Sequence, residues 1–493
     1  MMTAMNSGSL LFFPRELLGL VINSLCHEDV ISLGLTNKQI LANTSKSDFG
    51  YQIEEPVRLT IAYRNIDCMH KTNAAGHFSS FIVDNLGELL SLPPETKRIQ
   101  FAFEFKFNQS FDSIQFKFPP YLTHIHFGHF NMPIDHLILP STLVHLDLGS
   151  MFNQSVSNLD LSPCKGSLTH LHFGARFDQP VNDLKLKHLE ALTHLSFDFH
   201  FNQPIDDLEL PPNLTQLKFG YKFNQSIDNL KLSSCLRFKH LEFGYSFNQS
   251  VDNLIVPNSL THLIFCSTFN QPVNKLKIAH CLTLSCLKLG HRFNQSVDQL
   301  ILPNSESFTE FAFSYMFNQS IDKLQLPSTL KMLTFGAGFN QPVNKLLFPQ
   351  SLTHLKFGFT FNQSVSNLQL PTSLVCLQFG YKFDQPVSNF PLPPSLLHLG
   401  FGFDFNQPIH EINFPKSLQS IKFGFKFNQP IDRVNFPLHL KDLRFGPEYN
   451  KPITILKNLH SLQYLAISDA LSHSICHLDF SRTKCECPQL EFC

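Results

Sequence analysis

The chain has 493 residues and a net charge of -1, from 38 basic and 39 acidic side chains. That balance leaves no overall field to steer it toward nucleic acid or an anionic membrane. No apolar run approaches the ~18 residues of a spanning helix, and Ser9–Phe13 stops at Pro14-Arg15-Glu16, too short for a secretory leader core.

The N-terminal stretch differs in texture from the rest. Leu17, Leu18, Val21, Ile22 and Leu25 fall at helical spacing, with Pro14 suited to the first turn. A second apolar pattern comes next at Val30, Ile31, Leu33 and Leu35, and a third short piece at Gln39-Ile40-Leu41. About 40 residues in two or three short helices make too small a core to stand alone, so such a unit leans on a partner. The order Phe13-Pro14-x-Glu16-Leu17-Leu18, Val21-Ile22-x-x-Leu25, Asp29-Val30-Ile31-Ser32-Leu33 resembles the F-box, with Phe in place of the family's first Leu. The resemblance implies a module over 8–45 that docks on the small adaptor subunit of a cullin-type ubiquitin ligase. Its docking face would be Phe13, Pro14, Leu17, Leu18, Val21, Ile22, Leu25 and Val30. The alternative is a helical cap that closes the N-terminal end of the downstream domain.

Residues 46–90 are expected to be a linker and N-terminal cap, with strand-like alternation over Pro56–Ala62 and a helix over Phe78–Leu90. A degenerate repeat starts near Pro93-Pro94, with Ile99 and Phe101 in strand positions.

From there to 467 one sentence recurs. A clean copy reads Leu214-x-x-Leu217-x-Phe219-Gly220-x-x-Phe223-Asn224-Gln225-Ser226-Ile227-x-x-Leu230-x-Leu232. The aromatic before the Asn occurs 16 times, from Phe107 to Tyr449, in steps of 22 to 25 residues. A fixed period of this size means stacked coils, and it overrides any count of globular domains from length. Both LxxLxF and IxxLxL end in period-2 alternation, and Pro after the second (Pro211, Pro257, Pro303, Pro327) rules out a continuing helix. The expected fold is a mainly β repeat solenoid over 91–467, leucine-rich-repeat-like, with two short strands per 22-residue coil stacked in parallel.

The Asn is replaced only at Asp178 and Asp384. A column of Asn202, Asn224, Asn248, Asn270, Asn294, Asn318, Asn340 and Asn362 is expected to be buried as a ladder, bonding side chain to side chain and to the turn backbone. The next column alternates Ser and Pro, so its backbone donor is dispensable. The Phe column is expected to form an apolar spine. Longer copies gain residues only before LxxLxF, as at Lys187–Ala191, Ser233–Arg237 and Ala279–Thr283.

This pattern resembles the FNIP repeat, a relative of leucine-rich repeats. The resemblance implies that the LxxLxF strands line a concave face, and that the owner is a social amoeba or an amoeba-infecting large virus, where an F-box-like segment often precedes such repeats.

Function is expected on what the repeat leaves free. The outward position before the second Leu is His170, His194, His240, His262, His354 and His398, and an aromatic comes after the Gly at Tyr221, Tyr245, Tyr315 and Tyr381. Together they would make a recognition strip for a protein substrate; a bland solvated face and a metal-binding His column are the competing readings. The tail 468–493 carries Cys476, Cys485, Cys487 and Cys493 with His473 and His477, read as a C-terminal cap rather than a zinc site, because CxC is not the usual paired spacing. No phosphate loop, catalytic triad or paired acid appears. The chain is therefore expected to be a non-enzymatic monomer without cofactor or metal: the substrate-recognition adaptor of a ubiquitin ligase, or else a plain scaffold solenoid. The 12 scattered Cys point to a reducing cytoplasmic or nuclear setting. Seven Asn-Gln-Ser acceptor sites agree with that if their Asn is buried.

Overall fold

The computed structural model describes residues 61–62, 80–106, 116–388, 390–468 and 484–486. The F-box-like segment, the first repeat at Phe107-Asn108 and most of the Cys-rich tail lie outside them. The chain divides near 203–215 into two units.

In the first unit the strands Ile61–Ala62, Ser80–Asn85, Arg98–Lys106, His124–His126, His145–Asp147, His170–Phe173 and His194–Phe197 pair in sequence order, all parallel. The helix expected over Phe78–Leu90 is only Leu86–Leu90, capped by the Asn85 side chain; Ser80–Asn85 is strand, because Phe81 and Val83 alternate into the core. In the second unit parallel strands run from Gln216–Lys218 through Cys286–Leu289, then from Glu310–Ala312 through Lys484–Glu486.

Each coil is a parallel β unit with one strand, not two. The LxxLxF segment supplies a strand of three or four residues whose central Leu is buried, as Leu217, Leu333 and Leu355 are. The IxxLxL segment folds instead as a tight turn: the N–H of Leu230 donates to the Ile227 carbonyl at 3.1 Å, and Leu254 and Leu368 repeat this. An isolated bridge, Ile255 to Lys277, is all that the described residues show of a second ladder. Two more turns close the coil, at Gly220–Phe223 (3.3 Å) and Pro211–Leu214 (3.2 Å). A 22-residue coil must reverse direction, and three turns consume the residues a second strand would need. Each turn ends on a buried apolar residue. The longer copies spend their extra residues on short 3-10 turns, Ser162–Cys164, Leu186–His188 and Leu232–Ser234.

Two Phe columns share the core. Phe219 stacks on Phe223 at 4.1 Å within one coil, while Phe223 and Phe247 in adjacent coils are 6.1 Å apart. The closest aromatic contact thus lies inside the coil, and the spine expected from the FNQ Phe alone is a double one. Each fully buried ring stabilises its coil by about 1.5–3 kcal/mol.

Glycine keeps the coils close. A Cβ at Gly380 would collide with the Gly358 carbonyl oxygen of the preceding coil. The ladder breaks once inside the second unit. The nine strands from Glu310 on form a sheet separate from the one holding Cys286–Leu289. This coil has Phe311 where the other coils have Leu or Ile, and Phe311 sits edge-on to Phe313 at 4.9 Å. Across this break Asn318 N–H still reaches Asn294 Oδ1 at 2.8 Å.

Candidate interaction surface

The recurring Asn-Gln pair is a hinge of polar bonding between coils. The N–H of Asn248 donates to Oδ1 of Asn224 at 2.8 Å, and the same bond links Asn270 to Asn248, Asn294 to Asn270, Asn340 to Asn318 and Asn362 to Asn340. The adjoining Gln joins in: Nε2 of Gln363 donates to the Asn340 carbonyl at 3.0 Å and to its Oδ1 at 3.2 Å. The bonding to backbone is the part of the expected ladder that these bonds supply, and the side-chain part runs from Gln to Asn. In these bonds the Asn side chain serves as acceptor, a part Asp can take: Asp178 accepts from Asn202 N–H and from Gln203 Nε2, both at 2.9 Å. Nothing in the sequence pattern had given the Gln a role. The column is half-buried rather than buried, and Asn131 and Asn153 are exposed. A glycan at Asn153 would not enter a core, so the argument from burial does not apply at that site. In the next column Ser226 Oγ accepts from Asp228 N–H at 3.2 Å, a local turn bond that Pro replaces elsewhere by fixing φ.

On the strand side, strand register places His124, His145, His170 and His194 in one row of the first unit. Their rings stack at 5.6, 5.2 and 4.2 Å with planes within 15°. In the second unit His240 and His262 stack at 5.2 Å, after which the column reads Cys286, Glu310, Met332, His354, Cys376, His398. The Thr that precedes five of these His, at 123, 169, 193, 261 and 353, matters, although its spacing alone gives no sign of it. Thr193 Oγ1 donates to the Thr169 carbonyl at 3.0 Å and lies 2.8 Å from His194 Nδ1. Thr169 with His170, Thr261 with His262 and Thr353 with His354 repeat the arrangement. The hydroxyl proton is committed to the carbonyl, so Nδ1–H donates to Oγ1 and Nε2 is left as an acceptor. Parallel stacked rings aim their Nε2 lone pairs side by side, not at a common point. Among the described residues no cluster of three or more His, Cys, Asp or Glu is placed to hold a metal ion.

Burial, reinforced by the imidazoles of His194 and His145, holds His170 down at about 4; burial also lowers His194. Both rings are therefore neutral at pH 7. The unfolded chain takes up these protons first, near the ordinary His value of about 6.5, so stability is complete above that pH and falls as pH drops toward about 4. The melting temperature of the whole chain should decline across that window, with a slope below the ~1.4 kcal/mol per pH unit of one buried proton because the rings are half-exposed. His170→Gln should flatten the decline; an unchanged pH profile would refute the coupling.

The aromatic positions form a second column, one step beyond the Gly. Tyr221 and Tyr245 stack at 4.5 Å and are 42% and 38% exposed. Tyr315 stacks on His291 at 4.4 Å, and Tyr381 lies in a longer run with Phe359 and Phe403. The predicted His and Tyr residues thus form two columns, each stacked along its own line. The thiols of Cys286 and Cys376 interrupt the His column, and burial pushes both up, away from nucleophilic character.

This combination of a Phe-Asn-Gln hinge and one strand per coil is matched by the FNIP repeat model over residues 107–151, 201–232, 237–268 and, in overlapping stretches, 293–448, more than half of the chain. The chain belongs to the FNIP repeat family. Among solved structures, this FNIP chain is similar to CroV588, described as a novel circular leucine-rich-repeat protein. Identity is 36% and the TM-score 0.66, covering 80% of this chain and 56% of that one. The FNIP chain thus spans little more than half of that protein's length. Fainter likenesses are to a leucine-rich-repeat protein of Leptospira interrogans (14%, TM-score 0.44, covering 87% and 100%) and to YopM from Yersinia enterocolitica (17%, 0.40, 71% and 74%). No curated protein matches the chain. Among the described residues no helix is long and apolar enough to cross a membrane.

Proposed function

We propose that this FNIP-repeat chain is a non-enzymatic protein-binding scaffold. One observation carries the reading: the coil buries its own Leu and Phe columns completely, yet also places stacked aromatics at an outward position, with Tyr221, Tyr245, Tyr315 and Phe359 between 38% and 55% exposed. Nothing in the coil requires rings there. Tyr offers large, rigid contact area with a polar tip, which suits recognition.

A second reading refines the first. The Phe13-Pro14-x-Glu16-Leu17-Leu18 order favours an F-box, which would make the chain a substrate-recognition adaptor of a cullin-type ubiquitin ligase. In a viral owner it would redirect host protein degradation. Ligase chemistry would then reside in other subunits, and the solenoid would select the target.

Affinity purification with three forms separates the two. Tyr221→Ser with Tyr245→Ser should lose solenoid partners by roughly tenfold or more, as truncated aromatic anchors do. Leu17→Asp with Pro14→Ala should keep those partners and lose the ligase adaptor. Wild type recovering no ligase adaptor would sink the F-box reading alone. Partner recovery insensitive to the Tyr pair would remove the support for the scaffold surface.

A further inference from the structure

In the second unit the outward residue after the Gly is aromatic in four successive coils: Phe359, Tyr381, Phe403 and Phe425. Their rings stack at 4.5, 4.4 and 4.5 Å, with planes within 15°. A stack this tight admits no planar group between its rings and turns only their edges to solvent. Ring edges carry the positive part of the aromatic quadrupole, and the Tyr381 hydroxyl adds a donor. Phe359 is 46% exposed. A run of Phe at an outward position marks an interaction surface rather than a core.

The charge beside this stack is not balanced. Lys331, Lys356, Lys422 and Lys441 are exposed, and among the described residues none has an acidic side chain within ion-pair reach. Asp404 lies between Lys382 (3.2 Å) and Lys426 (2.7 Å), and Glu448 also acts on Lys426, so this group is close to neutral and leaves the four lysines uncompensated. Asp442 is engaged by Arg444 at 2.9 Å. The chain as a whole is at -1, whereas this face sets Lys331, Lys356, Lys422, Lys441 and Arg444 against Asp442 and is net positive.

Within the same face stands Gly400, in register between Gln378 and Lys422. A Cβ at Gly400 would meet only Gln378 Cγ, at 3.5 Å, whereas one at Gly402 would collide with the Gly380 carbonyl. Gly402 is needed for coil packing; Gly400 is not. A glycine inside a strand with open space above it is where another backbone can come close.

We propose that the strand face from Lys331 to Arg444 docks an extended acidic segment of a partner protein, its carboxylates meeting the four unpaired lysines and the ring edges, its backbone passing closest at Gly400. This rests on the scaffold reading and adds the chemistry of the partner. The closed stack argues against nucleic acid, whose bases would need gaps between the rings.

The test is selection of random dodecapeptides on the immobilised full chain, then affinity measurement of the recovered consensus. The consensus should be rich in Asp and Glu. Its affinity should fall roughly tenfold or more in Lys356→Glu with Lys422→Glu, should fall in Gly400→Leu, and should weaken with salt. Lys277→Glu, on the turn side of the coil, should leave it unchanged, and thermal melts should show all variants folded. A consensus without acidic enrichment overturns the inference and leaves the scaffold standing; recovery of no peptide of any composition overturns both. Preferential binding of oligo-dT or of phosphatidylserine vesicles, lost in the Lys pair variant, assigns the face to another class of partner and also overturns it.

Discussion

Phe361→Ala is expected to lower stability by about 3–5 kcal/mol, the usual cost of deleting a buried ring. Phe361 is fully buried, 4.1 Å from Phe357 in its own coil and 6.2 and 6.1 Å from Phe339 and Phe383 in the coils on either side. A solenoid coil touches only its neighbours, so one cavity weakens two interfaces and the coils cannot share the loss more widely. Urea unfolding monitored by circular dichroism should show an earlier transition. Phe359→Ala, two residues away and outward-facing, should shift it by no more than about 0.5 kcal/mol. Equal effects from the two would mean that the buried and exposed aromatic columns have been assigned the wrong way round.

Asn340→Leu and Asn340→Asp should behave oppositely, although both remove the amide. Asn340 Oδ1 accepts from Asn362 N–H at 2.8 Å and from Gln363 Nε2 at 3.2 Å. Leu leaves that half-buried N–H without its acceptor and costs about 1–3 kcal/mol. Asp preserves the acceptor and should stay within about 0.5 kcal/mol of wild type, as a substitution that breaks no such bond does. Asp384 already plays this part, accepting from Asn406 N–H and Gln407 Nε2, both at 2.9 Å. Denaturant midpoints decide the matter; an Asp variant as damaged as the Leu variant would show that the amide donor is needed too.

Much of the coil was legible in the residues. Leu214, Leu217, Phe219, Phe223, Ile227, Leu230 and Leu232 repeat at one period, and all are buried. Asp in the Asn column keeps the acceptor and loses only the donor, so its occurrence at 178 and 384 fits the bonds found there. The features that were not legible share one cause. The alternation Leu230-x-Leu232 looks like a strand, but Leu230 closes a turn on Ile227, and two alternating residues are too few to distinguish the two. The Gln of most repeats and the Thr before five of the His were equally visible, yet their carbonyl partners sit in another coil, more than 20 residues away.

By itself, the sequence determined that this chain stacks coils, what each coil buries and which residues stay outside, because a repeated apolar pattern has to be buried against its own copies. Only the tertiary structure decided the rest. It set one strand per coil, the bond from each Asn side chain to the next coil's backbone, the lock between Thr and His, the broken ladder at Glu310 and the grouping of Phe359, Tyr381, Phe403 and Phe425 beside unpaired lysines. Each depends on the distance and register between neighbouring coils, which a period along the chain does not contain.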